Sequence, residues 1–265
     1  MERRDFVTSA IAMAGVALTG AEGQAVASSS RQLSSSREFY QLRKYAMQTG
    51  TQLALVQNYF EHALIPALNR MEMAPIGAFK LDIGPETPTY YLLIPASSVE
   101  ALVMVDLKLP EDAEFTKASA AFWEAPASAP AFVRVESWLM SAFAGWPKIV
   151  APKSEKRIFQ LRTYESASHA AHILKVQMFN EAEIGIFVRT GLAPVFFGDT
   201  LIGSRMPSLT YMLTFADVAD LNAKWNVFVN DPAWKELSHR PQYADGEIVS
   251  NISNLYLSPL GGSQI

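Results

Sequence analysis

The chain has 265 residues, of which 49% are hydrophobic, and a formal net charge of −4 at pH 7. That apolar content is enough for a packed core, and the slight excess of acidic residues, without a run of Lys or Arg interleaved with aromatics, argues against a nucleic-acid partner. The chain has no cysteine, which excludes disulfides, thiolate metal sites, iron–sulfur clusters and a cysteine nucleophile.

The first 27 residues have the pattern of a bacterial export signal. Arg3 and Arg4 stand together, an apolar stretch rich in Ala and Gly covers residues 7–20, and Ala25-Val26-Ala27 is a cleavage pattern of small residues. The stretch is shorter than the roughly 20 residues that a membrane-spanning helix needs. We therefore expect removal of residues 1–27 on export to the periplasm, with only transient membrane contact through the signal. The adjacent arginines are typical of a twin-arginine signal, with the general secretory route as one alternative and an uncleaved N-terminal anchor as another.

The rest of the chain repeats itself after a short polar segment. YQLRKY begins at Tyr40 and FQLRTY begins at Phe159, a displacement of 119 residues, and the same displacement places Phe60 on Phe179. Matches so far apart in one register indicate an internal duplication. The predicted organisation is an export signal (1–27), a Ser-rich linker (28–37), a first module (38–144), a second linker (145–154) and a second module (155–260).

Each copy has the hydrophobic pattern of a strand, a helix, two strands, a helix and a strand. In the first copy, residues 38–46 alternate as a strand does, whereas residues 51–71 place apolar side chains at helical spacing. The remaining elements of that copy are strands over 76–83 and 90–95, a helical stretch over 99–123 with a break at Pro110, and a strand over 132–140. The second copy predicts a strand from 157, a helix over 167–189, strands near 195 and 211, a helix over 218–229 and a strand over 248–257.

This βαββαβ order is typical of a ferredoxin-like plait. A four-stranded sheet with both helices on one face leaves its other face bare, and an exposed apolar face of that size would aggregate. Two copies in one chain can cover each other. The predicted fold class is therefore α+β, with two tandem ferredoxin-like modules packed sheet to sheet as an intramolecular dimeric α/β barrel.

Several short motifs of the chain resemble those of the NIPSNAP family. They are the QLR-x-Tyr strands, Ala-Pro at 74–75 and 193–194, Ile-Gly at 83–84 and 202–203, and Asp-Pro-Ala-Trp at 231–234. The resemblance extends over nearly all of residues 38–260. It implies the tandem barrel described above and kinship with a superfamily that includes small monooxygenases, haem-degrading enzymes and lactone isomerases.

The resemblance implies no established activity. The first copy also departs from the family pattern, because it has Ala-Pro-Ala-Phe at 129–132 in place of Asp-Pro-x-Trp. We expect a small-molecule-binding or interaction module. The alternative is a cofactor-free oxygenase or isomerase that acts on an aromatic or polyketide-like substrate.

The first strand of each module carries the candidate ligand-binding residues. Alternate side chains of a strand share a face, and the neighbouring positions are wholly apolar, which suits packing against helices. We therefore expect the polar sets to face the opposing sheet, in the barrel interior; these sets are Gln41, Arg43 and Tyr45, and Gln160, Arg162 and Tyr164. A buried Arg needs a partner. Two alternatives are an ion pair with Glu136 or Glu247, or a pocket for a small anionic or carbonyl-bearing ligand.

The four histidines are further candidates for the mouth of the barrel, with solvated surface as the alternative. They are His62, His169, His172 and His239. Although His169 and His172 are three residues apart on a predicted helix, that spacing alone is too common to predict a metal site. The sequence contains no phosphate-binding loop, dinucleotide motif, nucleophile elbow or zinc-protease motif. We predict no metal and no cofactor, and we expect a homodimer by default.

Overall fold

The computed structural model describes residues 37–153 and 157–265. The predicted export signal and the Ser-rich linker up to residue 36 lie outside this part of the chain. The first module has these elements: β1 (Phe39–Ala46), α1 (Thr51–Tyr59), a π-helical turn (Phe60–Leu64), α2 (Ile65–Arg70), β2 (Gly77–Ile83), β3 (Thr89–Ala96), α3 (Val99–Val103), α4 (Val105–Lys108), a 3₁₀ turn (Leu109–Glu111), α5 (Ala113–Trp123) and β4 (Arg134–Ala142).

The second module repeats that order. Its elements are β5 (Ile158–Glu165), α6 (His169–Met178), a π-helical turn (Phe179–Glu183), α7 (Ile184–Arg189), β6 (Ala193–Ile202), β7 (Ser208–Phe215), α8 (Val218–Asn230), α9 (Pro232–Ser238), a 3₁₀ turn (Pro241–Tyr243), α10 (Asp245–Ile248) and β8 (Asn251–Pro259). The last strand starts three residues later than predicted, because the polar residues at 245–247 form a helical turn.

Helix starts in the two modules use the same local chemistry. The Ser98 hydroxyl accepts a hydrogen bond from the amide of Ala101 at 3.2 Å, and the Asp217 carboxylate accepts one from Asp220 at 2.9 Å. These side chains satisfy amides that have no partner within the helix. Ser98 and Asp217 are themselves 119 residues apart, so the duplication extends to the caps.

The eight strands close into one antiparallel barrel in the order β1-β3-β2-β8-β5-β7-β6-β4. Each module supplies four neighbouring strands, and two seams join the modules. At one seam Leu81 of β2 lies opposite Leu257 of β8; at the other, Met140 of β4 lies opposite Thr200 of β6. Closure leaves no sheet edge open, which removes the usual route to strand-to-strand aggregation. The predicted α+β fold with tandem ferredoxin-like modules is confirmed.

The core has three parts, one inside the barrel and one between the sheet and the helices of each module. Inside the barrel, Tyr40 contacts Phe196 edge to face at 5.4 Å between ring centroids, and Phe79 contacts Phe159 at 4.9 Å. Each fully buried side chain of this size contributes about 1.5–3 kcal/mol. Ile265, which is 1% exposed, joins this cluster and fills one end of the barrel.

None of the helices in residues 37–153 and 157–265 is long and apolar enough to cross a membrane.

Candidate functional site

The predicted orientation of the first strands is wrong. Tyr40 and Leu42 point into the barrel, as do Phe159 and Leu161, whereas the Gln, Arg and Tyr of each strand face the helices. The physical reason is that most of the interior of a closed eight-stranded barrel is shielded from water, where an unpaired polar side chain is destabilising and an apolar side chain is not. The layer between sheet and helices offers polar partners and routes to solvent, and a long Arg side chain can use both.

The arginine of the first module is fully satisfied. Arg43 is 5% exposed, donates from Nη1 to Asp106 Oδ1 on α4 at 2.8 Å, and donates from Nε to Gln41 Oε1 at 3.0 Å. Although burial opposes the charged form, Tyr45 and Asp106 raise the pKa of Arg43 above its usual range. Arg43 is therefore ion-paired, but with Asp106 and not with the predicted Glu136.

Tyr45 lies beside this ion pair within the aromatic core of the first module. Its ring contacts Phe60 edge to face at 4.9 Å between centroids, and burial raises its pKa. The predicted alternative partner on the last strand, Glu247, lies instead in α10 of the other module. The polar residues predicted in the first module thus form an internal network that needs no ligand.

The second module arranges the same residues differently. Arg162 donates from Nη2 to the Tyr164 hydroxyl at 2.9 Å, and its guanidinium lies 4.7 Å from the centre of the Trp225 ring. Gln160, which is 3% exposed, accepts a hydrogen bond from the Trp225 indole at 2.7 Å. The Tyr164 hydroxyl also contacts the Tyr211 hydroxyl at 3.1 Å. These groups form an aromatic layer around a cation.

A buried ion pair lies beside this layer. Lys175 Nζ is 3.4 Å from Glu183 Oε2, and the side chains are 1% and 2% exposed. Glu183 is the last residue of the π-helical turn, and the first module has a matching turn 119 residues earlier. The equivalent positions there hold Val56 and Leu64, so only the second module buries charge at this point.

None of the histidines lines the mouth of the barrel. His62, His169 and His239 are exposed on the outer helices or just after them. His172 is buried on α6 with Nε2 2.7 Å from Asp199 Oδ1. The prediction of barrel-mouth histidines is therefore wrong, because the helices that carry them pack outside the barrel.

Among the residues that the structure describes, no group of three His, Asp or Glu side chains is placed so that it could hold a metal ion.

Sequence reasoning missed a cavity at one end of the barrel, which we call the mouth cavity. It has a volume of about 500 Å³ and lies where β1 and β5 end, opposite the end filled by Ile265. Its apolar lining residues are Leu42, Leu81, Tyr91, Trp138, Leu161 and Leu255, and its polar lining residues include Lys44, Glu86, Glu136, Thr163, Ser208, Thr210 and Ser253. A volume of this size is typical of small-molecule sites.

A lysine with two carboxylates provides the charge of the mouth cavity. Lys44 forms ion pairs with Glu86 and with Glu136, the latter at 2.9 Å, and its side chain is 12% exposed. Burial opposes the charged ammonium, but the interactions that Lys44 makes with the carboxylates of Glu86 and Glu136 outweigh it and raise the pKa of Lys44. Lys44 therefore stays protonated at neutral pH and acts as a hydrogen-bond donor rather than a base.

Hydroxyl groups from the second module face this lysine across the mouth cavity. Thr163 and Thr210 lie 2.9 Å apart through their hydroxyl oxygens, and the Ser208 hydroxyl donates to Thr200 at 3.1 Å. Position 163 is the equivalent of position 44 in the repeat, so one module presents an ammonium where the other presents a hydroxyl. The alternation of β1 and β5 could have revealed these residues once the inward face was known.

Comparison with known structures supports the fold. A provisionally assigned monooxygenase from Lactobacillus acidophilus has a TM-score of 0.57 at 10% identity, covering 84% of this chain and 94% of its own. Another from Fusobacterium nucleatum has a TM-score of 0.57 at 8% identity, covering 85% and 93%. At these identities the likeness shows the fold alone.

Comparison by sequence gives a family match. A search of curated proteins finds no match. A sequence model of the NIPSNAP family matches residues 159–264, which include most of the second module. Among solved structures, an uncharacterised NIPSNAP-like domain protein from Burkholderia xenovorans has a TM-score of 0.37 at 18% identity, covering 42% of this chain and 92% of its own.

Proposed function

We propose that this protein binds a small amphipathic molecule, bearing an anionic or carbonyl oxygen, in the mouth cavity. The proposal rests on a space of about 500 Å³ at the end of the barrel with both apolar and polar lining residues. A packed scaffold would fill this space with side chains. The strand register places Leu42 and Trp138 one layer deeper in the barrel than Lys44 and Glu136, which suits a molecule whose two ends differ in polarity.

Lys44 supplies the orienting contact. An ammonium has three hydrogen-bond donors; Lys44 donates to Glu86 and forms an ion pair with Glu136. A further donor is available for an oxygen of the ligand. Arg205 also lines the mouth cavity, so its two cations and two carboxylates, Lys44, Arg205, Glu86 and Glu136, have a net charge of zero. Hydrogen bonding rather than net electrostatic attraction therefore selects the ligand.

Binding is favoured over proton-transfer catalysis by the state of these groups. A general base is most effective when its pKa lies near the working pH. The hydrogen bond from Lys44 lowers the pKa of Glu86, which makes that carboxylate a weak base. Lys44 itself is held protonated by its carboxylates. The same ammonium could stabilise an enolate-like oxygen, which is the role that the oxygenase or isomerase alternative would give it.

A retention experiment tests the proposal. Wild-type protein is incubated with a metabolite extract, washed, denatured and analysed by mass spectrometry for retained molecules. Ser253→Trp places a large ring inside the mouth cavity and should abolish retention. Ala118→Trp, an equal change at an exposed position of α5, should leave it unchanged. Retention of nothing by the wild type, or equal retention by the Ser253→Trp variant shown to be folded by circular dichroism, contradicts the proposal.

Lys44→Gln refines the same experiment. This variant removes the ammonium but keeps a neutral donor of similar reach, so it should weaken binding of any ligand held through an oxygen by roughly tenfold or more. An unchanged dissociation constant would show that Lys44 does not orient the ligand.

We propose further that the protein is exported to the periplasm. Arg3, Arg4 and the small residues at 25–27 support this proposal. Expression with a C-terminal tag, cell fractionation and N-terminal sequencing test it, and the expected mature N-terminus is Ser28. Replacing both arginines with lysine should block export only if the twin-arginine route is used. A full-length cytoplasmic product from the unaltered chain would contradict the proposal.

A further inference from the structure

The two modules solve the problem of a buried arginine in different ways. Strands β3 (Thr89–Ala96) and β7 (Ser208–Phe215), and the starts of α3 and α8 at Val99 and Val218, all keep the displacement of 119 residues. In that register the carboxylate that pairs with Arg43, Asp106, is replaced by Trp225. The second module thus has an aromatic ring where the first has the counter-ion.

Trp225 also removes the second acceptor. In the first module, Gln41 Oε1 accepts from Arg43 Nε at 3.0 Å. In the second module, Gln160 Oε1 accepts instead from the Trp225 indole at 2.7 Å. As a result Arg162 Nε is buried without a hydrogen-bond partner. A buried donor that lacks an acceptor is destabilising, and more so when it is charged.

No neighbouring carboxylate in residues 37–153 and 157–265 replaces the partner that Arg162 Nε lacks. Among the side chains that the structure describes, no carboxylate lies at ion-pair distance from Arg162. Glu183, a carboxylate in the same layer, lies 3.4 Å from Lys175. Arg162 and Trp225 are both half-buried, whereas Arg43 is 5% exposed, so the second module leaves more of its arginine side chain accessible than the first module does.

We propose that Arg162 is an anion-binding residue, and that it takes a carboxylate on an aromatic or other flat apolar body between the sheet and α8. The oxyanion supplies the acceptor that Arg162 Nε lacks, and the planar guanidinium fork matches a carboxylate. The partly exposed ring of Trp225 provides the apolar wall for the rest of the molecule. Since Leu161 and Thr163 point into the barrel while Arg162 points to the helices, this site is separate from the mouth cavity.

Titration with benzoate tests this proposal, with benzamide as the neutral control of the same shape. We expect millimolar binding of benzoate to the wild type, followed by nuclear magnetic resonance or calorimetry, and at least about tenfold weaker binding of benzamide. Arg162→Gln should abolish benzoate binding. Trp225→Asp restores the carboxylate of the first module in the second and should also abolish binding. Arg43→Gln should leave it unchanged.

Several results would overturn the proposal. One is that the wild type binds no benzoate up to about 20 mM, which is well above the millimolar range expected of one charge-assisted site. Another is that benzamide binds as tightly as benzoate, and a third is that Arg162→Gln and Trp225→Asp both bind benzoate as the wild type does. Each of these results contradicts the proposal. Loss of binding in Lys44→Gln but not in Arg162→Gln would place benzoate in the mouth cavity and would equally refute it. Because Arg162→Gln introduces a smaller uncharged side chain and no buried carboxylate, it keeps the test decisive if Trp225→Asp fails to fold.

Discussion

Replacement of the buried Lys175–Glu183 pair gives a quantitative test of the second module. At 3.4 Å the Coulomb attraction is about 5 kcal/mol for an effective dielectric constant of about 20. The cost of removing both charges from water offsets much of this attraction. Glu183→Leu alone removes the carboxylate and should lower the free energy of unfolding by about 3–5 kcal/mol, and Lys175→Met alone should do the same.

The double variant should behave differently. Leu already occupies the equivalent of position 183 in the first module, where Leu64 is 0% exposed, and Met matches the length of Lys. Lys175→Met with Glu183→Leu should therefore be within about 1 kcal/mol of wild type, or more stable by up to about 4 kcal/mol, because neither charge then needs desolvation.

Urea unfolding followed by circular dichroism measures all four proteins, and the double-mutant cycle gives the coupling energy. Arg240→Met is the control, because Arg240 and Glu236 form an exposed i,i+4 pair at 3.1 Å whose loss should cost under about 0.5 kcal/mol. The reasoning is refuted if each single change costs less than about 1 kcal/mol and the two effects add.

Three further predictions concern single residues. Burial and the hydrogen bond to Glu181 raise the pKa of Tyr243 to about 12. The stability that the protonated phenol contributes is complete below about pH 10, the pKa of an unfolded tyrosine, and is lost as the pH rises to about 12. Urea unfolding across that pH range should therefore show a larger loss of stability for the wild type than for Tyr243→Phe. Asp231→Ala removes the acceptor for two amides at the start of α9 and should lower the melting temperature at a cost of about 1 kcal/mol, whereas Asp231→Asn should cost less; equal melting temperatures would refute the cap. Gly203→Ala places a methyl group against Trp138 and should push that ring into the mouth cavity. Ligand retention should then fall, and unchanged retention would contradict this prediction.

The sequence predicted the elements and the duplication because both depend on local pattern. The alternation from Tyr40 to Tyr45 identifies a strand, and the 119-residue displacement requires only that two segments be alike. The barrel then follows from the need to cover a bare sheet face. These inferences involve no choice between competing environments, and the structure confirms them.

The inward face of each strand could not be predicted in the same way. Alternation defines two faces but does not say which meets the helices. The polarity of Gln41 and Arg43 suggested a partly polar interior, but the partner of Arg43 is a carboxylate on a short helix, Asp106, more than 60 residues away. Finding it required the tertiary structure. The mouth cavity was missed for the same reason, since Lys44 was assigned to neither candidate set.

The two seams of the barrel have a consequence for how its interior can evolve. In a barrel assembled from two identical chains, every mutation changes both halves, so a lysine at position 44 would lie opposite the same lysine of the second chain. Joining the halves in one polypeptide lets each side of the opening be selected on its own. An ammonium opposite a hydroxyl, and an aspartate matched by a tryptophan, are arrangements that an exact two-fold assembly cannot have.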